Sequence, residues 1–159
     1  MKVKSNLNTI SGSNKIEQFK KPVSQQKEKK KLIDKLDRLF STCIRTRDGF
    51  RCQHENCTAG GNRMHCAHIF SRSRMTTRWD LDNAITLCYY HHIVWCHRTP
   101  VEFTLWIMKK IGEIKFKELE SKSRNINIQV DLLEMKKIEK YLTNKLEEFE
   151  QKNADIFTI

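Results

Sequence analysis

Two short cysteine and histidine pairs constrain this chain more than anything else in it: "RCQHENC", with Cys52 and Cys57, and "LCYYHH", with Cys88 and His91. Each pair can clamp a metal from one turn, and a separation of about thirty residues lets the intervening chain close over a tetrahedron. The expectation is a structural Zn²⁺ held by Cys52, Cys57, Cys88 and His91, in a thiolate-rich shell that stabilises the fold and does no chemistry. His54 is an alternative ligand, because the gap between Cys52 and Cys57 is wider than the commonest two-residue knuckle.

The rest of the cysteine chemistry follows from compartment. No apolar run reaches the ~18 residues of a membrane span, and no hydrophobic stretch follows the N-terminal lysines as in a secretory signal. A reducing, cytoplasmic setting is expected, where six cysteines act as metal ligands or free thiols rather than disulfides. Cys43 and Cys66 read as buried thiols.

At 159 residues the chain suits one ordinary domain with appendages. Residues 1–30 are Ser, Asn, Gln and Lys with few apolar groups, a composition expected to form a flexible basic arm. From Lys31, Leu32, Leu36, Leu39, Phe40 and Cys43 recur at helical spacing until the Asp48-Gly49 turn. Short strands and loops organised by metal are expected over 50–98. A helix then starts with Thr99 as cap, Pro100 in the first turn and Glu102 closing a capping box, and ends at Gly112.

Residues 31–112 thus make the core, and 113–159 a helical extension. The extension holds a short helix in "GEIKFKELESKS" and a last one starting near Asp131, with Glu134 three residues on. Met135, Ile138, Leu142, Leu146 and Phe149 form a stripe that needs a partner, the helix of Leu32 or a second copy in a homodimer. The fold class expected is small α+β. Trp79, Trp95 and Trp106 sit among apolar neighbours and are expected in the core.

Charge is distributed unevenly. Residues 1–31 hold nine lysines and two glutamates, +7 of a formal +11; residues 32–112 hold twelve basic and seven acidic groups, and 113–159 nine and ten. A basic front of this kind suits a polyanion, because each neutralised phosphate releases condensed counterions. A solubilising tail explains residues 1–31 equally well. Arg63, Arg72, Arg74 and Arg78 are candidates to grip a DNA backbone, the alternative being a solvated loop.

His68, Asn83, His92 and His97 are left outside the zinc set. "AHIF", "RWDLDNAITLC" and "CYYHH" resemble the HNH nuclease pattern of a strand histidine, an asparagine and a histidine that begins a helix. Asn83 follows His68 by fifteen residues and His92 follows Asn83 by nine, ordinary intervals for that ββα-metal motif. A longer resemblance, from about Leu39 to Phe149, runs through "CIRTRDGFRC", "AHIFSRSRMTTRWDLDN", "LCYYHH" and "PVEFTLWIMKKIGEIKFKELE". In that order these segments are similar to the phage NinG (Rap) recombination proteins, HNH-type endonucleases that act on branched DNA.

The resemblance implies a zinc-stabilised ββα-metal core flanked by α-helices, and a metal-dependent endonuclease hydrolysing phosphodiester bonds in branched or single-strand-containing DNA. It makes His68 the general base, Asn83 the group that fixes the His68 loop, and His92 a ligand of a catalytic Mg²⁺ or Mn²⁺. The next ligand is either Cys96, four residues on and so on the same helical face, or His97, whose imidazole suits such an ion better than a soft thiolate; His97 is the expectation. Many HNH enzymes carry an acid or histidine immediately before the base, where this chain has Ala67. Two other readings share these residues: a non-catalytic, zinc-stabilised DNA-binding module, and a restriction- or homing-type HNH nuclease on duplex DNA.

Overall fold

The computed structural model describes residues 23–126 and 128–156. In chain order these form α1 (Val23–Arg47), β1 (His65–His68), β2 (Ala84–Leu87), a π-helical segment (Tyr90–Cys96), α2 (Pro100–Ile111), α3 (Glu113–Arg124) and α4 (Leu132–Ile156). A 3₁₀ turn at Leu81–Asn83 leads into β2. The architecture is α+β, with one small antiparallel sheet among helices.

Helix α1 begins at Val23, eight residues before the Lys31 expected from the apolar pattern. The expected arm therefore overlaps the helix over 23–30, and residues 1–22 lie outside those described. Lysine, glutamate and glutamine lose little side-chain freedom in a helix, so "SQQKEKKK" extends α1 without any core to bury. The other end stops where expected. Gly49 and Phe50 both take left-handed backbone, φ 62° and 53°, which turns the chain away from the axis.

Arg47 and Asp48 tie this end of α1 to the sheet. The Arg47 guanidinium donates to the carbonyls of Leu81 (2.6 Å) and Ala84 (3.0 Å), and Asp48 Oδ2 accepts the Thr86 amide at 2.8 Å. Strand β1 pairs antiparallel with β2 in the register His65↔Leu87, Cys66↔Thr86, Ala67↔Ile85 and His68↔Ala84. All four residues of β2 are buried, because the strand is covered on both faces.

That covering divides the core in two. On one face Leu36, Phe40, Cys43 and Ile44 of α1 pack with Trp79, Ala84, Met135 and Leu142; on the other Ala67, Ile85 and Leu87 pack with Phe103, Ile107 and Phe116. Burying each such large apolar side chain contributes about 1.5–3 kcal/mol. The α4 stripe finds its partner within the chain: Ile138, Leu146 and Phe149 pack against the α1 cluster, and the Cys43 thiol donates to the Leu142 carbonyl at 3.2 Å. Asp131 caps α4, its Oδ1 accepting the Glu134 amide at 2.8 Å.

One cap differs from expectation. The Thr99 hydroxyl does not cap α2; it turns back to the Trp95 carbonyl at 2.8 Å, an acceptor that the preceding π-helical segment leaves four residues upstream. Gly112 ends α2 at φ 89°, as its lack of a Cβ allows. Among the described residues no helix is long and apolar enough to cross a membrane.

Candidate functional site

The register of the sheet brings the Cys/His pairs together. Cys52 lies after the α1 turn, where its amide donates to the Ala59 carbonyl and the Gln53 amide to the Thr86 carbonyl, so the first pair rides on the side of β2. Cys88 follows β2 directly and His91 sits in the first turn of the π-helical segment. The ligand atoms of Cys52, Cys57, Cys88 and His91 all lie within 4.8 Å of one another.

The spacing within this set can be tested against a metal. Tetrahedral Zn²⁺ with ordinary bond lengths places two sulfurs about 3.8 Å apart and a sulfur and a nitrogen about 3.5 Å apart. Cys57 and Cys88 Sγ are 3.9 Å apart, and His91 Nδ1 lies 3.4 Å from Cys52 Sγ and 3.2 Å from Cys88 Sγ. Three thiols and an imidazole at these distances can hold a metal ion such as zinc. Burial pushes the Cys52 thiol up to about 11, so metal binding there displaces a proton. Cys57, at the rim, moves down, chiefly through a hydrogen bond from the Ala59 backbone.

His54 is not among the four. Its Nδ1 faces the Glu55 carbonyl at 2.9 Å, and its ring stacks on His91, centroids 4.0 Å apart and 8° from parallel. Trp95 stands edge-on to both rings, and Trp106, whose indole N–H donates to the Glu55 carboxylate, closes the wall. Trp95 and Trp106 are thus only half-buried, a collar for the His91 side of the cluster, whereas Trp79 is in the α1 core.

A second cluster, of imidazoles alone, begins one residue further on. His92 is half-buried between His65 of β1 and His97: its Nδ1 lies 3.1 Å from His65 Nδ1, and its ring centroid is 5.6 Å from that of His97. Burial, reinforced by His65, His97 and His68 nearby, pushes the His92 imidazole down to about 4, so it is neutral at neutral pH. Cys96 packs into the Phe103 cluster, where burial raises its thiol, while His97 brings its imidazole beside that of His92.

His68 lies at the end of β1 on the face toward α1, its ring 5.3 Å from that of Phe40. His68 Nε2 lies 3.1 Å from the Arg78 carbonyl. A carbonyl only accepts, so Nε2 carries the proton and Nδ1 is left with the basic lone pair. Burial is the largest influence on His68 and holds its pKa below the ordinary 6.5, with Arg78 and Arg72 adding to the fall.

Asn83 fixes the backbone around His68. It is fully buried; its Oδ1 accepts the Phe70 amide at 2.8 Å, and its Nδ2 donates to the carbonyls of Phe70 (3.0 Å) and Thr77 (2.8 Å). The loop from Phe70 to Thr77 carries Arg72 and Arg74, both exposed, as is Arg63. Arg78 behaves differently from the expectation of a free phosphate contact. Its guanidinium forms a two-pronged pair with Asp37 of α1, at 2.8 and 2.6 Å, and donates to the Arg72 carbonyl at 2.8 Å. Asp37 also accepts the Trp79 indole N–H at 2.9 Å, so Arg78 is committed to joining the loop to α1.

Two participants had escaped the sequence reading. Asp37 looks like any solvent-side carboxylate on an amphipathic helix, and nothing local marks its partner 41 residues away. His65 was readable only as the first member of "HCAH", where strand alternation sets it opposite in direction to His68. Ala67, between them, is fully buried against the Phe103 cluster, so an acid at that position would lie in an apolar core. No protein-family model, curated protein or solved structure matches the chain.

Proposed function

We propose that the protein is a metal-dependent DNA endonuclease of the HNH type, acting on branched or single-strand-containing DNA and similar in its residue pattern to the phage NinG recombination proteins. The observation that carries this reading is the state of His68. A half-buried imidazole with its pKa held below the ordinary 6.5 by burial and Nε2 engaged by the Arg78 carbonyl offers Nδ1 as the base toward an attacking water. Asn83 holds the loop on which that carbonyl stands, and so orients the base without touching the substrate.

A divalent ion at His92 and His97, Mg²⁺ or Mn²⁺, would polarise the phosphate and neutralise the leaving oxygen. Neutral His92 supports this, since only an unprotonated imidazole can bind a metal. Arg72 and Arg74, exposed on the loop after β1, and Arg63, exposed before it, are the residues to grip neighbouring phosphates. The Cys52, Cys57, Cys88 and His91 set would keep a structural zinc that fixes the start of the π-helical segment and hence His92.

The test is cleavage of linear, supercoiled and four-way-junction DNA by wild type and His68→Ala across several divalent ions. Wild type is expected to cut the junction, and His68→Ala to lose about 10²–10⁴-fold in rate, with zinc content and DNA binding retained. Equal cleavage by the two proteins overturns the assignment. Buried Ala67, which leaves no ligand beside the base, favours a second reading as a zinc-stabilised DNA-binding module; salt-sensitive binding without cleavage under any ion would select it.

A further inference from the structure

The closest approach within the histidine cluster does not involve His97. The Nδ1 atoms of His65 and His92 lie 3.1 Å apart, with the rings perpendicular and the centroids 5.3 Å apart. Two nitrogens bound to one ion at ordinary metal–imidazole lengths stand about 2.9–3.4 Å apart, between octahedral and tetrahedral angles. The His97 ring stands slightly farther from His92, with centroids 5.6 Å apart.

From this geometry we infer that His65, in place of His97, joins His92 to hold the second metal, and that this site takes a borderline divalent transition ion such as Ni²⁺ or Zn²⁺ in preference to Mg²⁺. The two ligands come from rigid places. His65 opens β1, held opposite Leu87 by the sheet, and His92 follows Cys88 by four residues, its amide donating to the Cys88 carbonyl at 2.9 Å. The Cys88 end of the zinc cluster therefore sets the position of His92, and β1 sets that of His65.

Ligand type decides the ion. Imidazole nitrogen suits the later first-row metals, whereas Mg²⁺ asks for oxygen. Asp37, the carboxylate that influences His68, has both oxygens engaged by Arg78 and Trp79. A two-imidazole site leaves most coordination positions to water or phosphate, as a hydrolytic ion requires. His65 would thus supply, from two residues upstream, the protein ligand that Ala67 lacks. The inference rests on the reading of these histidines as metal-binding, and it stands apart from whether the protein cuts DNA.

The test uses the full chain loaded with zinc at the cysteine cluster. Isothermal titration with Ni²⁺ is expected to detect one further ion per chain, and Mg²⁺ titration no comparable binding. His65→Gln, which keeps a side chain able to hydrogen-bond His92, is expected to weaken that ion at least tenfold while zinc content and thermal melting stay at wild-type values. His92→Ala is expected to do the same to the ion. The inference is overturned if wild type takes up no second ion, if Mg²⁺ binds as well as Ni²⁺, or if His65→Gln binds Ni²⁺ like wild type. Loss of the ion in His65→Gln with no cleavage by wild type under any metal would leave the site standing and remove the nuclease reading. Unimpaired cleavage and metal binding by His65→Gln would do the reverse.

Discussion

His91 and His92 are neighbours in the chain and belong to different chemistries. His91 faces three cysteine sulfurs in a compact set walled by His54, Trp95 and Trp106. His92 stands beside the imidazoles of His65 and His97, on the side of β1. In general, three thiolates and an imidazole complete a closed tetrahedral shell, whereas two imidazoles alone leave coordination positions to other ligands. One turn of helix serves both, so the stability of the first cluster sets the geometry of the second.

The largest effect is expected from removing the closed cluster. Chelation of the metal, or Cys88→Ser, is expected to unfold the Phe103 side of the core and displace His92, since a structural zinc contributes on the order of 10 kcal/mol at neutral pH. Collapse of near-ultraviolet circular dichroism would record it; full retention would mean that the four ligands carry no structural metal. A smaller effect belongs to Asn83→Ala. It strands the Phe70 amide and the Thr77 carbonyl and should cost about 2–3 kcal/mol, read as a shift in denaturant midpoint with zinc content unchanged.

The smallest effect sharpens the comparison through pH. Burial lowers the folded pKa of His68 below 6.5, so the folded state favours the neutral ring. That contribution to stability is present above pH 6.5 and is lost as pH falls through the lowered value. For a general base the same shift moves the acidic limb of the cleavage profile below pH 6.5, measured as kcat/KM against pH; a limb above 6.5 would point to a different base.

Much of the molecule was legible because its signals are local. Cys52, Cys57, Cys88 and His91 announced a four-ligand site by spacing alone, and Asp131 with Glu134 announced the start of α4. The α1 start was missed because apolar periodicity marks where a helix is buried, and residues 23–31 are helical through propensity with almost nothing to bury. The Thr99 cap failed for the opposite reason: the residue type was right, but the π-helical segment had already provided a nearer acceptor at Trp95.

Ligand identity, turn chemistry and the apolar stripe of α4 are thus properties of the chain itself, because each depends on residues a few positions apart. Which histidines meet is not such a property. Cys96 is drawn into the cluster of Phe103, and His97 is left beside His92. His65 meets His92 only because the antiparallel register sets it against Leu87, and Arg78 turns from solvent to Asp37 only because α1 lies across the loop. Hydrogen bonds and metal distances are decided within tenths of an ångström, and only the folded arrangement of distant segments specifies them at that scale.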